Sequence, residues 1–113
     1  MNIEEIRNYC LTFENTTEDI KWGHVLTFCV SQKIFVLIGL DHDPPNLSFK
    51  CTQEDFNNLI EIDGFKPAPY LARSFWVQIN DISLVTDTQM KFFLQKSHHL
   101  ISIKKSKKKP HVI

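Results

Sequence analysis

The chain contains the residue types on which many enzymes depend, but their spacing matches no catalytic motif. Serine, histidine and aspartate all occur, yet the 113 residues contain no G-x-S-x-G, H-E-x-x-H, P-loop or dinucleotide-binding fingerprint. The three glycines, Gly23, Gly39 and Gly64, are isolated, so no glycine-rich loop is available to bind a phosphate group. We therefore predict a protein without catalytic residues and without a cofactor.

Carboxylates near the N-terminus and two adjacent histidines near the C-terminus are the candidate metal ligands. A hard cation needs several oxygen ligands that converge on one point. Glu4 and Glu5 are neighbours in a predicted helix and therefore diverge, and the same holds for His98 and His99. A solvated acidic surface is the favoured interpretation, and we predict no metal site. The carboxylates considered are Glu4, Glu5, Glu14, Glu18 and Asp19.

The three cysteines, Cys10, Cys29 and Cys51, are odd in number and far apart, and no C-x-x-C pattern occurs. This spacing argues against a disulfide framework and against a zinc site, and is typical of reduced thiols in a cytosolic protein. Lys50 precedes Cys51 and could lower the pKa of its thiol. A small buried residue before a helix cap is the favoured interpretation of Cys51.

Basic and aromatic residues around one predicted strand could contact a nucleic acid. Alternation along residues 75–79 directs Trp76 to the face opposite Phe75, and the same alternation directs Lys50 to that face. An aromatic ring among cations on an open sheet can stack on bases and contact phosphates. The candidate nucleic-acid-binding residues are Lys33, Lys50, Arg73, Trp76, Lys104, Lys105, Lys107 and Lys108.

A structural role for the same residues stays open. Large aromatic side chains are usually mostly buried, so Trp76 could instead pack beneath residues 67–71, with Lys50 simply solvated. The open sheet face could also meet a partner protein, which makes a protein-interaction module the alternative to nucleic-acid binding.

Charge is distributed unevenly along the chain. Residues 104–113 contain five lysines, which leaves eight basic residues against thirteen acidic ones in residues 1–103, a net charge of about −5. An acidic body attracts polyanions poorly. The basic tail could contact phosphates without sequence preference, or it could be a solvated helix end, and charge patterning does not decide between the two.

Two elements begin the chain. Asn2 and Glu5 form a capping-box pattern, and a helical stripe of apolar residues follows from Ile3 to Phe13. Residues 14–17 break this pattern, and Trp22-Gly23-His24 is interpreted as a turn. Residues 26–30 and 33–40 are rich in β-branched and aromatic residues and predict a hairpin.

The rest of the chain predicts two further strands and two helices. A proline-containing loop at 41–45 precedes a strand at 47–49, and Thr52 caps a helix that Gly64 ends. Residues 66–70 are interpreted as an irregular linker, residues 75–79 as a strand, and a final helix runs from about Asp87 past Ser97. We predict one α+β domain over 1–103, a mainly antiparallel sheet of four to five strands with helices packed on one face, and a basic tail over 104–113.

The chain has the length of one ordinary domain, and no apolar stretch approaches the ~20 residues that a membrane-spanning helix needs. The N-terminus is acidic and amphipathic, unlike a signal peptide. We therefore expect a cytoplasmic monomer without membrane contact.

Several stretches, in their order and spacing, resemble one family. The resemblance is carried by six stretches. They are the N-terminal MNIEEIRNYCL, Glu18-Asp19 before Trp22-Gly23, Lys33-Ile34-Phe35, residues 47–51, Pro67-Ala68-Pro69-Tyr70-Leu71 before Trp76-Val77, and Ser97 to Ile101 with the lysine-rich end. Together they are similar to the MmcQ/YjbR family of small bacterial proteins. The resemblance implies a CyaY-like α+β fold and, because members are described by structural analogy as DNA-binding proteins, a DNA-binding function.

The chain departs from the family pattern at three positions. Gln32 stands where the family usually has glycine in the hairpin, His98 replaces a customary tyrosine, and His99 replaces a polar or acidic residue. Any role that belongs to that tyrosine does not carry over to this chain.

Overall fold

The computed structural model describes residues 1–69 and 71–106, which form one six-stranded antiparallel sheet and three helices. The spatial order of the strands is β1-β2-β3-β4-β6-β5. The predicted α+β class is confirmed. In chain order the elements are α1 (Ile3–Cys10), β1 (Thr16–Lys21), β2 (Val25–Val30), β3 (Lys33–Gly39), β4 (Asn46–Lys50), α2 (Gln53–Leu59), β5 (Phe65–Pro67), β6 (Trp76–Ile79) and α3 (Asp87–Ser106).

The sheet has more strands than the four to five expected, because the two edge strands lack a sequence signal. β1 is almost entirely polar and largely exposed, so it shows no alternation of apolar residues. β5 has three residues within the segment interpreted as a linker and ends at Pro67, whose missing N–H group is tolerated at a sheet edge. Edge strands are specified by pairing with a neighbour rather than by burial.

Strand register divides the sheet into two faces. Phe28 pairs with Val36, Val36 with Phe49, and Phe49 with Val77, and all four are fully or almost fully buried. These residues and the helices α1 and α3 lie on the side that we call the helix face. The residues that alternate with them along the strands lie on the opposite side, which we call the open face. They include Leu37, Ser48, Trp76 and Gln78.

A serine in α3 connects the helix to the centre of the sheet. The Ser97 hydroxyl donates to the carbonyl oxygen of Phe35 at 2.6 Å and accepts from the backbone N–H of Lys50 at 2.9 Å, and the side chain is 0% exposed. Val36 pairs with Phe49, so Phe35 and Lys50 are the next residues along the β3–β4 ladder. The Ser97 hydroxyl therefore lies between the two strands, at the point where the Lys50 N–H and the Phe35 carbonyl would otherwise bond to each other.

His98 has a structural role. Its ring centroid lies 5.0 Å from that of Phe13 and 5.1 Å from that of Phe35, and its Nε2 is 2.9 Å from the carbonyl oxygen of Glu14. His98 thus packs as an aromatic ring and also forms a hydrogen bond to the segment between α1 and β1. His99 is exposed on the next position of the helix.

The first helix is held by its cap and by an ion pair. Asn2 and Glu5 form the predicted capping box. The Arg7 guanidinium donates to both carboxylate oxygens of Glu18, at 2.8 and 2.7 Å, and this lowers the pKa of Glu18. Since Arg7 also contacts Glu4 at 3.0 Å, two of the acidic residues considered as ligands pair with an arginine.

The β2–β3 hairpin turns through two residues with left-handed backbone. Ser31 has a φ of 49° and Gln32 a φ of 74°. This geometry explains a glycine at the Gln32 position in the resembled family, because a residue with a Cβ atom is disfavoured there by roughly 1–2 kcal/mol.

Within the described part of the chain, no helix is long and apolar enough to span a membrane.

We expect Ser97→Ala to destabilise the fold by about 1–3 kcal/mol, because it leaves a buried N–H and a buried carbonyl without their shared partner. Urea unfolding with an unchanged m-value would measure this. Ser102→Ala is the matched control, since the Ser102 hydroxyl bonds within its own helix, to the carbonyl oxygen of His98, and does not bridge two strands. Equal losses in the two variants would contradict the bridging role of Ser97.

Candidate functional site

A cleft of about 350 Å³ opens on the open face, at the end of the sheet where the β1–β2 turn and the β3–β4 loop meet. Its floor is formed by residues from four neighbouring strands, namely Val25, Leu37, Ser48 and Gln78. Ala68, Pro69 and Leu71, which precede β6, lie along one side. A mainly apolar lining with a few polar groups is typical of ligand-binding clefts of this size.

Trp22 forms part of the rim and is unusually placed. Its side chain is 70% exposed, and its backbone φ of 55° lies in the left-handed region, as does that of Gly23 at 77°. Bulky residues rarely adopt this conformation, and such strain often accompanies functional sites. The turn that contains Trp22 therefore presents a large aromatic ring to solvent at a conformational cost.

Gly39 makes room for two polar side chains of the cleft. A Cβ atom at this position would lie 2.6 Å from Oδ1 of Asn46 and 2.9 Å from the ring of His42. Both distances are shorter than real carbon contacts allow, so a larger residue would displace Asn46 and His42. The absence of a side chain at Gly39 thus lets the side chains of Asn46 and His42 occupy this position in the cleft.

One carboxylate and two imidazoles meet at the rim. Asp41 lies with one carboxylate oxygen 3.8 Å from Nε2 of His24 and the other 3.7 Å from Nε2 of His42. The Asp41 side chain is 54% exposed. Among the described residues that line the cleft there is no lysine or arginine, and Asp41 is the one carboxylate. The cleft is therefore neutral to negative when the histidines are neutral.

A second groove lies on the other side of the same end of the sheet. It has a volume of about 510 Å³ between α1 and β1, and Ile3, Leu26 and Leu40 contribute apolar surface to it. Ile20, another of its residues, is about half exposed. Exposed apolar side chains therefore surround the Trp22 end of the sheet on both faces.

The structure does not present Trp76 as a stacking surface. Trp76 pairs with Lys50 on the open face as the alternation predicts, but it is only 6% exposed. Its backbone N–H donates to Leu71 and its carbonyl accepts from Ala68, so the preceding segment folds back on it. Burial fits the alternative in which Trp76 packs beneath residues 67–71, and it corrects the hypothesis that its ring stacks on bases.

The basic candidates do not form one strip. Lys33 pairs with Val30, a helix-face position, whereas Lys50 lies on the open face. The Lys50 ammonium donates to the carbonyl oxygen of Ser74 and lies 6.0 Å from the centroid of the Phe75 ring. It therefore supports the short turn before β6.

Arg73 is exposed in that turn. Lys104 and Lys105 belong to the last turns of α3, and Lys107 and Lys108 lie outside the described residues.

Sequence reasoning missed Trp22, His24, Asp41 and His42, because it interpreted their segments as a turn and a loop. A tryptophan within a predicted turn was the available signal, since turns rarely bury so large a ring. The meeting of the turn and the loop has no signal in sequence, because Trp22 and Asp41 belong to different connections of the sheet.

The cysteines are free thiols, and their environment suits packing rather than reactivity. Burial raises the pKa of Cys10 to about 12 and that of Cys51 to about 11, and for Cys51 this outweighs the opposing effect of Lys50. Burial is also the main cause of the raised pKa of Cys29. Within residues 1–69 and 71–106, no three histidine, cysteine or acidic side chains are grouped to hold a metal ion.

We expect acrylamide to quench the fluorescence of the two tryptophans very unequally, because Trp22 is exposed and Trp76 is buried. Trp22→Phe should leave an emission that acrylamide quenches poorly, and Trp76→Phe should leave one that it quenches strongly. Steady-state quenching of the two single-tryptophan variants measures this. Strong quenching of the Trp22→Phe variant would contradict the burial of Trp76, and weak quenching of the Trp76→Phe variant would contradict the exposure of Trp22.

Comparison with known proteins agrees with this fold. The chain is similar to Deinococcus radiodurans protein DR2400, described with the domain DUF419, at 21% identity and a TM-score of 0.81 over 89% of this chain and 78% of that one. A Pseudomonas syringae protein solved by the Northeast Structural Genomics Consortium gives 18% identity and a TM-score of 0.73 over 88% and 98% of the two chains. No curated protein matches the chain. The YjbR family model matches residues 11–100, so the chain belongs to the YjbR family.

Proposed function

We propose that this YjbR-family chain is a binding module without catalytic activity, and that it recruits a segment of a partner protein at the cleft on the open face. The observation that carries the proposal is Trp22, an exposed tryptophan held at the rim of a cleft whose lining is mainly apolar. Tryptophan is among the residues most enriched in the energetic centres of protein interfaces. The proposal includes a cytoplasmic monomer, as expected from the sequence.

The polar groups of the cleft support binding rather than chemistry. The distances of 3.8 and 3.7 Å from Asp41 to the two imidazoles exceed ordinary hydrogen bonds, and none of the described cleft residues is a cysteine or lysine that could act as a nucleophile. Ser48 lies on the floor of the cleft, whereas His24 and His42 are on its rim and are each about half exposed. These groups can orient a bound segment by hydrogen bonds.

Charge favours a protein over a polyanion at this site. Residues 1–103 carry a net charge of about −5, and the described lining contains a carboxylate but neither lysine nor arginine. Phosphate groups would meet repulsion there with no compensating ion pair. Ile20 and Leu40, exposed near Trp22, extend the apolar surface that a protein partner could cover.

We expect a photo-crosslinker, p-benzoylphenylalanine, at position 22 to give a discrete protein adduct in the native cells. The same group at Phe92, an aromatic residue of α3 that is 51% exposed, is the matched control and should not give that adduct.

Either of two results would overturn the proposal. Adducts identical to those from position 92 would show that the surface is not a specific interface. Adducts with nucleic acid in place of protein would favour the second candidate.

The second candidate is DNA binding, as the family resemblance implies. The specific observation in its favour is that Lys66 and Arg73 are exposed near β5 and β6. Lys66 lies on the open face as the strand partner of Gln78, although it is not itself among the residues that line the cleft. Together with tail lysines, Lys66 and Arg73 could make about four or five phosphate contacts. Binding through phosphates alone would be weak and independent of sequence.

If this candidate is right, anisotropy with labelled single- and double-stranded oligonucleotides should give a log–log salt slope of about −4. Removing residues 104–113 should flatten the slope. Lys66→Ala with Arg73→Ala should weaken binding more than Lys91→Ala with Lys96→Ala, a control pair on α3 that removes the same charge. No binding at micromolar protein in low salt would exclude this candidate.

A further inference from the structure

We propose, resting on the proposed function, that the cleft recognises a cationic side chain of the partner, an arginine in preference to a lysine. The charged group would lie over the Trp22 ring and pair with the Asp41 carboxylate. The proposed function does not specify the chemistry of the partner. The inference specifies it as a basic peptide segment.

The aromatic component of the site is the exposed face of Trp22. Among aromatic side chains, the indole ring attracts a cation most strongly, and arginine guanidinium groups are the commonest protein cations found over such rings. Trp22 is 70% exposed, so an incoming group can reach it. Lysines of this chain already lie near the rings of Phe75, Tyr9 and Phe92, whereas Trp22 takes part in no such contact within the described residues.

The anionic component is Asp41. Its carboxylate is about half exposed and lines the same cleft as Trp22. None of the described residues that line the cleft is a lysine or arginine that would pair permanently with this carboxylate. By contrast, the nearby Lys21 ammonium lies 3.5 Å from Asp19, which is outside the cleft lining.

The floor of the cleft favours a guanidinium over an ammonium. Asn46, Ser48 and Gln78 bring side-chain oxygens that can accept hydrogen bonds, and Gly39 is the residue that lets Asn46 take its position. A guanidinium has five N–H donors in a planar fork and can bond several acceptors while stacking on a ring. Val25 and Leu37 offer apolar contact to the methylene groups of the side chain.

The test uses fluorescence anisotropy of the full chain with three labelled peptides of equal length on a Gly-Ser scaffold, containing four arginines, four glutamates or four leucines. We expect the arginine peptide to bind at low salt, and Trp22→Ala and Asp41→Asn each to weaken it by about tenfold. Trp22→Phe should fall between wild type and Trp22→Ala. An otherwise identical peptide with four lysines should bind more weakly than the arginine peptide.

Asp63→Asn is the matched control for Asp41→Asn. Asp63 is also exposed, lies between α2 and β5, and its substitution changes the net charge by the same amount. It should leave arginine-peptide binding nearly unchanged. Equal weakening by both substitutions would reveal general attraction to an acidic body and would overturn the inference. All these residues are exposed, and circular dichroism would verify that each variant is folded.

The remaining outcomes separate the inference from the proposed function. One outcome is that the leucine or glutamate peptide binds, that Trp22→Ala weakens this binding, and that the arginine peptide does not bind. The cationic inference is then wrong, and the proposed binding module is still supported. If no peptide binds, the inference is wrong, and the crosslinking experiment at position 22 decides the proposed function separately.

Discussion

The buried hydroxyl of Ser97 connects α3 to the two central strands of the sheet, and the remaining architecture depends on that connection. A hydroxyl is the smallest group that can accept from the Lys50 N–H and donate to the Phe35 carbonyl at once. It satisfies two buried backbone groups at a point where the strands do not bond each other, which would otherwise carry a large desolvation cost. The position of α3, and of the core residues beneath it, follows from this bridge.

Fixing the helices to one face leaves the other face to the connecting segments. Ala68 and Leu71 are hydrogen-bonded to the backbone of Trp76 at the start of β6, and Ala68, Pro69 and Leu71 line one side of the cleft. The rest of the cleft lies between the β1–β2 turn and the β3–β4 loop. Gly39 leaves room for the side chains of Asn46 and His42, and the left-handed backbone at Trp22 carries a conformational cost.

The two tryptophans show that the tertiary structure decides which aromatic ring is exposed and available for binding. Alternation assigned Trp76 correctly to the open face, because side-chain direction along a strand has a period of two. Alternation does not reveal whether that face is covered at a given position, and here the Trp76 ring is only 6% exposed. Trp22 lies outside any periodic segment, so no pattern could assign it to a face, although its exposure makes it the better-placed aromatic residue for binding.

The sequence by itself determined the α+β class, the capping of α1 and α2, the β2–β3 hairpin, the family, and the packing face of most core residues. These features follow from local propensity and from apolar periodicity, both of which are written in neighbouring residues. Only the tertiary structure decided that residues 16–21 and 65–67 form edge strands, and that the basic candidates Lys33 and Lys50 lie on different faces. Only it brought Trp22 and Asp41 into one cleft, because contacts between two separate connections depend on how the strands between them pair and twist.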